Sequence, residues 1–173
     1  RSARRWCVWC YEWQEGGIGK PPRLTKLPKQ TSGRNAMSNT ARTWTSFDRV
    51  LAAYQSGQFD GIGFFTSAGP DGLQFVGVDL DDKEGTGKLI AADGALTRHT
   101  HNILGGLQTY CERSPSGAGI RAFCLGLLPP SGRNNKTQGI ELYDTSSAKF
   151  LTVTGHRIEG YPDSVEERTP ELE

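Results

Sequence analysis

Two aspartates separated by one residue, Asp79 and Asp81 in the run VGVDLDD, are the side chains of this 173-residue sequence whose type and spacing point most directly to chemistry. Residues two apart in a strand project from the same face with Cα atoms about 6.5 to 7 Å apart, so both carboxylates can reach ions between them while Val78 and Leu80 turn to a core. Hard oxygen ligands favour Mg²⁺ or Mn²⁺, and two such ions about 3.5 to 4 Å apart can activate an attacking hydroxyl and neutralise a departing pyrophosphate. Glu141 in GIELYD offers a third carboxylate, because a lone charge inside an apolar strand is costly without a partner. Asp144 lies three residues further on, on the opposite face or in a turn, and ranks below Glu141 as a ligand.

A second group of residues suits anions. In SPSGAGIRAF, residues 114 to 123, Pro115 fixes its own backbone and Gly117 and Gly119 permit positive φ. The turn's amides and the Ser114 and Ser116 hydroxyls can cradle phosphate oxygens, with Arg121 behind them as a permanent cation. The chain has neither the G-x-x-x-x-G-K-[ST] loop of nucleotide hydrolases nor a dinucleotide-binding glycine fingerprint. Cys7 and Cys10 form a C-x-x-C, but they lie in an alternating, strand-like run and no second pair completes a zinc site. The four cysteines therefore read as reduced, buried thiols of a cytoplasmic protein. His99 and His101 sit on different faces of a helix and cannot share a metal.

The elements that must position these residues follow from periodicity. RWCVWCYEW, residues 5 to 13, reads as a strand, followed by a loop, GGIGKPPRL, that displays Lys20 and Arg23. Residues 28 to 43 have turn composition. A helix starts after Ser46, with Phe47, Val50, Leu51 and Tyr54 on one face and Gly57 as its stop. GIGFFTS, at 61 to 67, and QFVGVDLDD, at 74 to 82, flank a PDG turn and are expected to pair as a hairpin. A second helix is expected over 94 to 112, its Gly105 and Gly106 explained by close packing, and three strand-like runs follow it: IRAFCLGLL, GIELYD and KFLTVTG. DSVEERTPELE reads as an acidic linker or tail over 163–173.

Composition limits the alternatives. With 20 basic and 19 acidic residues the net charge of +1 excludes a polycation that holds nucleic acid by bulk electrostatics. The 35% hydrophobic content, without an apolar run near the ~18 residues of a membrane span, reads as soluble, globular and without a membrane partner. The charge is segregated. Residues 1 to 57 carry ten basic and three acidic side chains, and residues 58 to 112 three basic and eight acidic ones, so the front suits anions and the middle cations.

The ordered set of motifs resembles the bifunctional primase-polymerase domain of phage- and plasmid-borne replication proteins, in the archaeo-eukaryotic primase superfamily. It comprises an aromatic first strand followed by GKPPR, TW before a helix ending in LAAY, then GIGF, VGVDLDD, SPSGAGIRAF, IELYD and KFLTVTG, and it covers nearly the whole chain. The resemblance implies a mixed α/β fold over residues 1–162. An N-terminal αβ lobe (1–70) and a catalytic lobe similar to an RNA-recognition-motif sheet (71–162) would enclose the active-site cleft. It implies a template-dependent primase and polymerase that moves nucleotides from a nucleoside triphosphate to a 3′-hydroxyl.

Asp79, Asp81 and Glu141 carry over as catalytic ligands of two Mg²⁺ or Mn²⁺ ions. Ser114, Ser116, Gly117, Arg121 and Lys149 carry over as the nucleotide contacts, with Arg121 standing where the family usually has a histidine. Lys20, Arg23, Arg34 and Arg42 would meet template or primer DNA, and a helicase, on the same chain or separate, is an implied partner. Two rivals use the same residues: a non-catalytic nucleotide- or DNA-binding module of a replication initiator, motivated by Arg121, and a metal-dependent nuclease.

Overall fold

The structure, a computed structural model, describes residues 3–81, 87–130, 134–135, 138–147 and 149–172. Asp82, the last residue of the expected second apolar run, and Glu173 lie outside the described residues. The architecture is mixed α/β, mostly strands with two helices.

The first sheet grows from the aromatic strand β1 (Trp6–Gln14). It pairs antiparallel with β2 (Arg23–Lys29) from Val8↔Lys29 to Gln14↔Arg23 and, on its other edge, with β3 (Gly61–Phe65). β9 (Phe150–Val153) closes the order β2-β1-β3-β9. Strand β2 corrects the expectation of a loop running into turn-like sequence. RLTKLPK alternates once β1 supplies its ladder, and Pro28 is tolerated because β2 is an edge strand that needs no amide on its outer side. One face of this sheet is covered by α1 (Phe47–Gln55), with Val50 against Val8 and Ile62.

The second sheet has the order β10-β6-β4-β8-β7, with β5 also on β6. Its strands are β4 (Phe75–Asp81), β5 (Tyr110–Arg113), β6 (Gly119–Leu125), β7 (Asn134–Asn135), β8 (Ile140–Tyr143) and β10 (Glu166–Glu167). Val76, Val78, Leu80, Ile120, Ala122 and Cys124 turn from β4 and β6 to one buried cluster, which Leu104 and Leu107 of α2 (Arg98–Leu107) join. On the opposite face Phe75 and Phe123 meet Phe64 and Leu151 of the first sheet, so the two sheets share a core.

The expected hairpin of β3 with β4 does not form. β3 is flanked by β1 and β9, and β4 by β6 and β8. The connector between them is held by Arg5, whose fully buried guanidinium donates to the Thr66, Ser67 and Leu73 carbonyls and to the Asp71 carboxylate. The second helix is also shorter than expected. Gln108 turns left-handed (φ 40°), Arg168 caps the helix end by donating to the Leu107 carbonyl (2.6 Å), and Tyr110–Arg113 continues as a strand. Close packing does not account for Gly105 and Gly106, since a Cβ at either would meet nothing within 4 Å. In the stretch read as a linker, Glu166–Glu167 pair in parallel with Cys124–Leu125 and Leu172 is buried.

Candidate active site

Register assembles the site. In β4, Asp79 lies directly across from Arg121 of β6 on one side and Glu141 of β8 on the other, while Arg121 lies across from Glu112 of β5. Directly opposed residues share a face, so Glu112, Arg121, Asp79 and Glu141 form one charged row across four strands. Asp81 follows two residues along the same face, opposite Gly119. Val78 and Leu80, on either side of Asp79 in the strand, are buried on the other face, which is the division that the spacing predicts.

The row is bonded internally. Arg121 Nε donates to Asp79 Oδ1 at 3.3 Å, with the two side chains only 11% and 17% exposed, so solvent screens the pair weakly. Its Nη1 donates to the Thr152 carbonyl at 3.1 Å and to the Thr152 hydroxyl, tying β6 to β9. The Tyr143 hydroxyl donates to Glu141 Oε2, and burial, followed by this bond and the Glu141 charge, raises the Tyr143 pKa. Lys149 Nζ stands 5.4 Å from the centre of the Tyr143 ring. Glu112, fully buried, accepts from the Thr154 and Gly155 amides (2.9 Å each) and from the Tyr110 hydroxyl (2.7 Å), which fixes the turn leaving β9.

A cavity of about 190 Å³ opens over this row, lined by Lys26, Asp79, Arg121, Tyr143, Lys149, Phe150, Leu151 and Thr152. Lys26 comes from β2 of the other sheet. Burial and the nearby Arg121 charge lower its pKa, with Asp79 and Asp81 acting in opposition. Three cations, Lys26, Arg121 and Lys149, and one carboxylate, Asp79, thus line the cavity.

Of the residues singled out in the sequence, the structure brings Asp79, Arg121 and Lys149 into one cavity, with Glu141 beside Asp79 and Asp81 on the same face. The Ser-Gly turn joins β5 to β6, where a helix-to-strand connection was expected, and it borders Asp81 through Gly119. Ser114 Oγ accepts from the Gly119 amide (3.1 Å) and contacts the Ser116 hydroxyl, so Ser114 braces the turn, while Ser116 and Gly117 (φ +74°) are exposed. A Cβ at Gly119 would sit 2.9 Å from the Leu80 carbonyl oxygen, so this approach needs glycine. Lys20, Arg23, Arg34 and Arg42 are exposed and do not line the cavity.

Lys26, Tyr143, Thr152 and Glu112 were not foreseen. Tyr143 was readable, being two residues beyond Glu141 in the same strand. Lys26 required knowledge that β2 pairs with β1.

The carboxylates suit Mg²⁺ or Mn²⁺ by donor type and shared face. Arg121 is bonded to Asp79 and Tyr143 to Glu141, and among the described residues no group of three or more His, Cys, Asp or Glu side chains stands ready to hold a metal ion. A cation bound there would share Asp79 and Glu141 with these partners or compete with them.

No family model matches the chain. It is 28% identical over 166 residues, 92% of its length, to the DNA primase-polymerase of Nitratiruptor phage NrS-1. That similarity supports a relationship to primase-polymerases. The chain spans about a fifth (20%) of that relative's length. No helix among the described residues is long and apolar enough to cross a membrane.

Proposed function

We propose that the chain is the nucleotidyl-transfer core of a DNA primase-polymerase, extending a 3′-hydroxyl on a DNA template with nucleoside triphosphates. The observation that carries this reading is the in-register row Arg121–Asp79–Glu141 beneath a cavity edged by Lys26 and Lys149, in a chain related over nearly its whole length to a phage primase-polymerase.

Each side chain then has a role its position allows. Arg121 and Lys149, with Lys26 opposite, hold the negative charge of the triphosphate, and Ser116 and Gly117 meet its oxygens at the turn beside Asp81. Asp79, Asp81 and Glu141 present carboxylates toward the reacting end; two Mg²⁺ or Mn²⁺ ions held there would acidify the 3′-hydroxyl and neutralise the departing pyrophosphate. No protein nucleophile is required. Lys20, Arg23, Arg34 and Arg42 supply exposed positive charge for template or primer phosphates.

One observation favours a second reading. The guanidinium of Arg121 already holds Asp79, as it would in a module that binds nucleotide without reacting it. Labelled single-stranded DNA incubated with Mn²⁺, with and without triphosphates, separates the readings. Products longer than the input that need triphosphates are expected. Triphosphate binding with no change in length would select the non-catalytic module, and shortening without triphosphates would select a nuclease.

A further inference from the structure

One face of the β1–β2 ribbon extends beyond the cavity and shares only Lys26 with it. Trp9, Tyr11 and Trp13 alternate along β1 on that face, and Lys26 and Leu24 lie directly across from Tyr11 and Trp13 on β2. Exposure rises away from the cavity: Trp9 is 3% exposed, Tyr11 43% and Trp13 71%, with Leu24 at 50%. An indole so exposed on a paired strand contributes little to the core, and Trp13 with Leu24 makes an apolar patch that folding leaves in water.

The patch is continuous with the cavity through one residue. Lys26 Nζ lies 5.8 Å from the ring centres of both Trp9 and Tyr11, and the same side chain lines the cavity beside Asp79 and Arg121. The nearby carboxylates are directed elsewhere. Glu12 alternates to the other face and pairs with Lys29, and Asp60 accepts the backbone amide of Tyr11 (2.7 Å). Beyond Trp13 the connecting loop carries Lys20.

We infer that the Tyr11–Trp13–Leu24–Lys26 face is a stacking platform for single-stranded nucleic acid, along which a strand runs into the cavity. Side chains two residues apart on a strand spring from Cα atoms about 6.5 to 7 Å apart, a repeat compatible with unstacked successive bases, and every base offers a π face to an exposed ring. Lys26 at the inner end and Lys20 at the outer end supply the backbone counter-charge. This deepens the proposed function by naming the surface that delivers the template or primer.

Fluorescence anisotropy with a labelled 12-nucleotide oligo-dT, with no triphosphate or divalent metal present, tests the platform apart from catalysis. Trp13→Ala is expected to weaken binding about tenfold or more, and Trp13→Phe to restore most of it. Tyr54→Ala, which removes a similarly exposed aromatic (44%) on α1, should leave it unchanged. That pattern supports the platform even if the chain proves unable to incorporate nucleotides. Equal affinity of the native chain and Tyr11→Ala/Trp13→Ala would overturn it even if primer extension is robust, and so would an equal loss of affinity for blunt duplex DNA, whose bases cannot reach a ring. An oligo-U arm reports whether RNA shares the surface.

Discussion

Arg5 is one of ten basic residues in the first 57, yet it contributes nothing to an anion-binding front, because its guanidinium is buried against three carbonyls and Asp71. The hydrogen bond from Arg5 holds the Asp71 carboxyl below its ordinary value of 3.8 against the opposing effect of burial. A depressed folded pKa means stability that is fully present above the ordinary value and lost as pH falls through the folded one. Asp71→Asn is therefore expected to destabilise the chain by about 2 kcal/mol near neutrality. The gap to the native chain should stay constant down to about pH 4 and narrow progressively below the ordinary value of 3.8, as read from denaturant midpoints between pH 7 and pH 2. Residue-level legibility divides along the same line. The shared face of Asp79 and Asp81 could be read because it depends on type and on period-two spacing, whereas Glu141 and Arg121 come beside Asp79 only through the register of β8 and β6. The burial of Arg5 and Glu112 could not be read, since each is satisfied by backbone groups remote in sequence.

At the scale of elements, β1, α1 and the runs of β4, β6 and β8 were legible from alternation or helical periodicity. The partners of those strands were not. GIGF and VGVDLD read as a hairpin because a PDG turn lies between them, and nothing local reveals that Arg5 keeps the connector open. The glycines of GIGF acquire a reason only in three dimensions. A Cβ at Gly61 would come within 2.7 Å of the Trp9 indole, and one at Gly63 within 2.6 Å of the Phe150 ring. The Trp9 indole cannot yield easily, because its Nε1 donates to the Ile62 carbonyl at 3.1 Å. Gly61→Ala is accordingly expected to cost about 1 to 3 kcal/mol, measurable by urea unfolding, and to shift the wall from which Lys26 reaches the cavity.

Across the whole molecule, charge is arranged locally and the net value of +1 conceals it. Lys26 and Lys149 gather at the cavity and Lys20 lies beyond the aromatic face, so a single strand bound there meets about three cations that, among the described residues, are not ion-paired to the cavity's carboxylate. The slope of log affinity against log salt for oligo-dT should then be about −2; a slope steeper than about −5 would mean binding spread over the entire basic front. The two-sheet arrangement explains why fold class was readable and site shape was not. Strand and helix content follows from sequence pattern, whereas the cavity exists only where β9 and β2 of one sheet meet the row on β4, β6 and β8 of the other. The central claim, that this row performs nucleotidyl transfer, is tested most directly by extension of a labelled primer on a template with deoxynucleotides and Mn²⁺ or Mg²⁺. Native chain should be compared with Asp79→Ala/Asp81→Ala, after circular dichroism has shown both to be folded. Extension by the native chain, reduced by on the order of 10²- to 10³-fold or more in the double variant, is the predicted result. Undiminished extension in the variant, or none in a native chain that binds triphosphate, would contradict it.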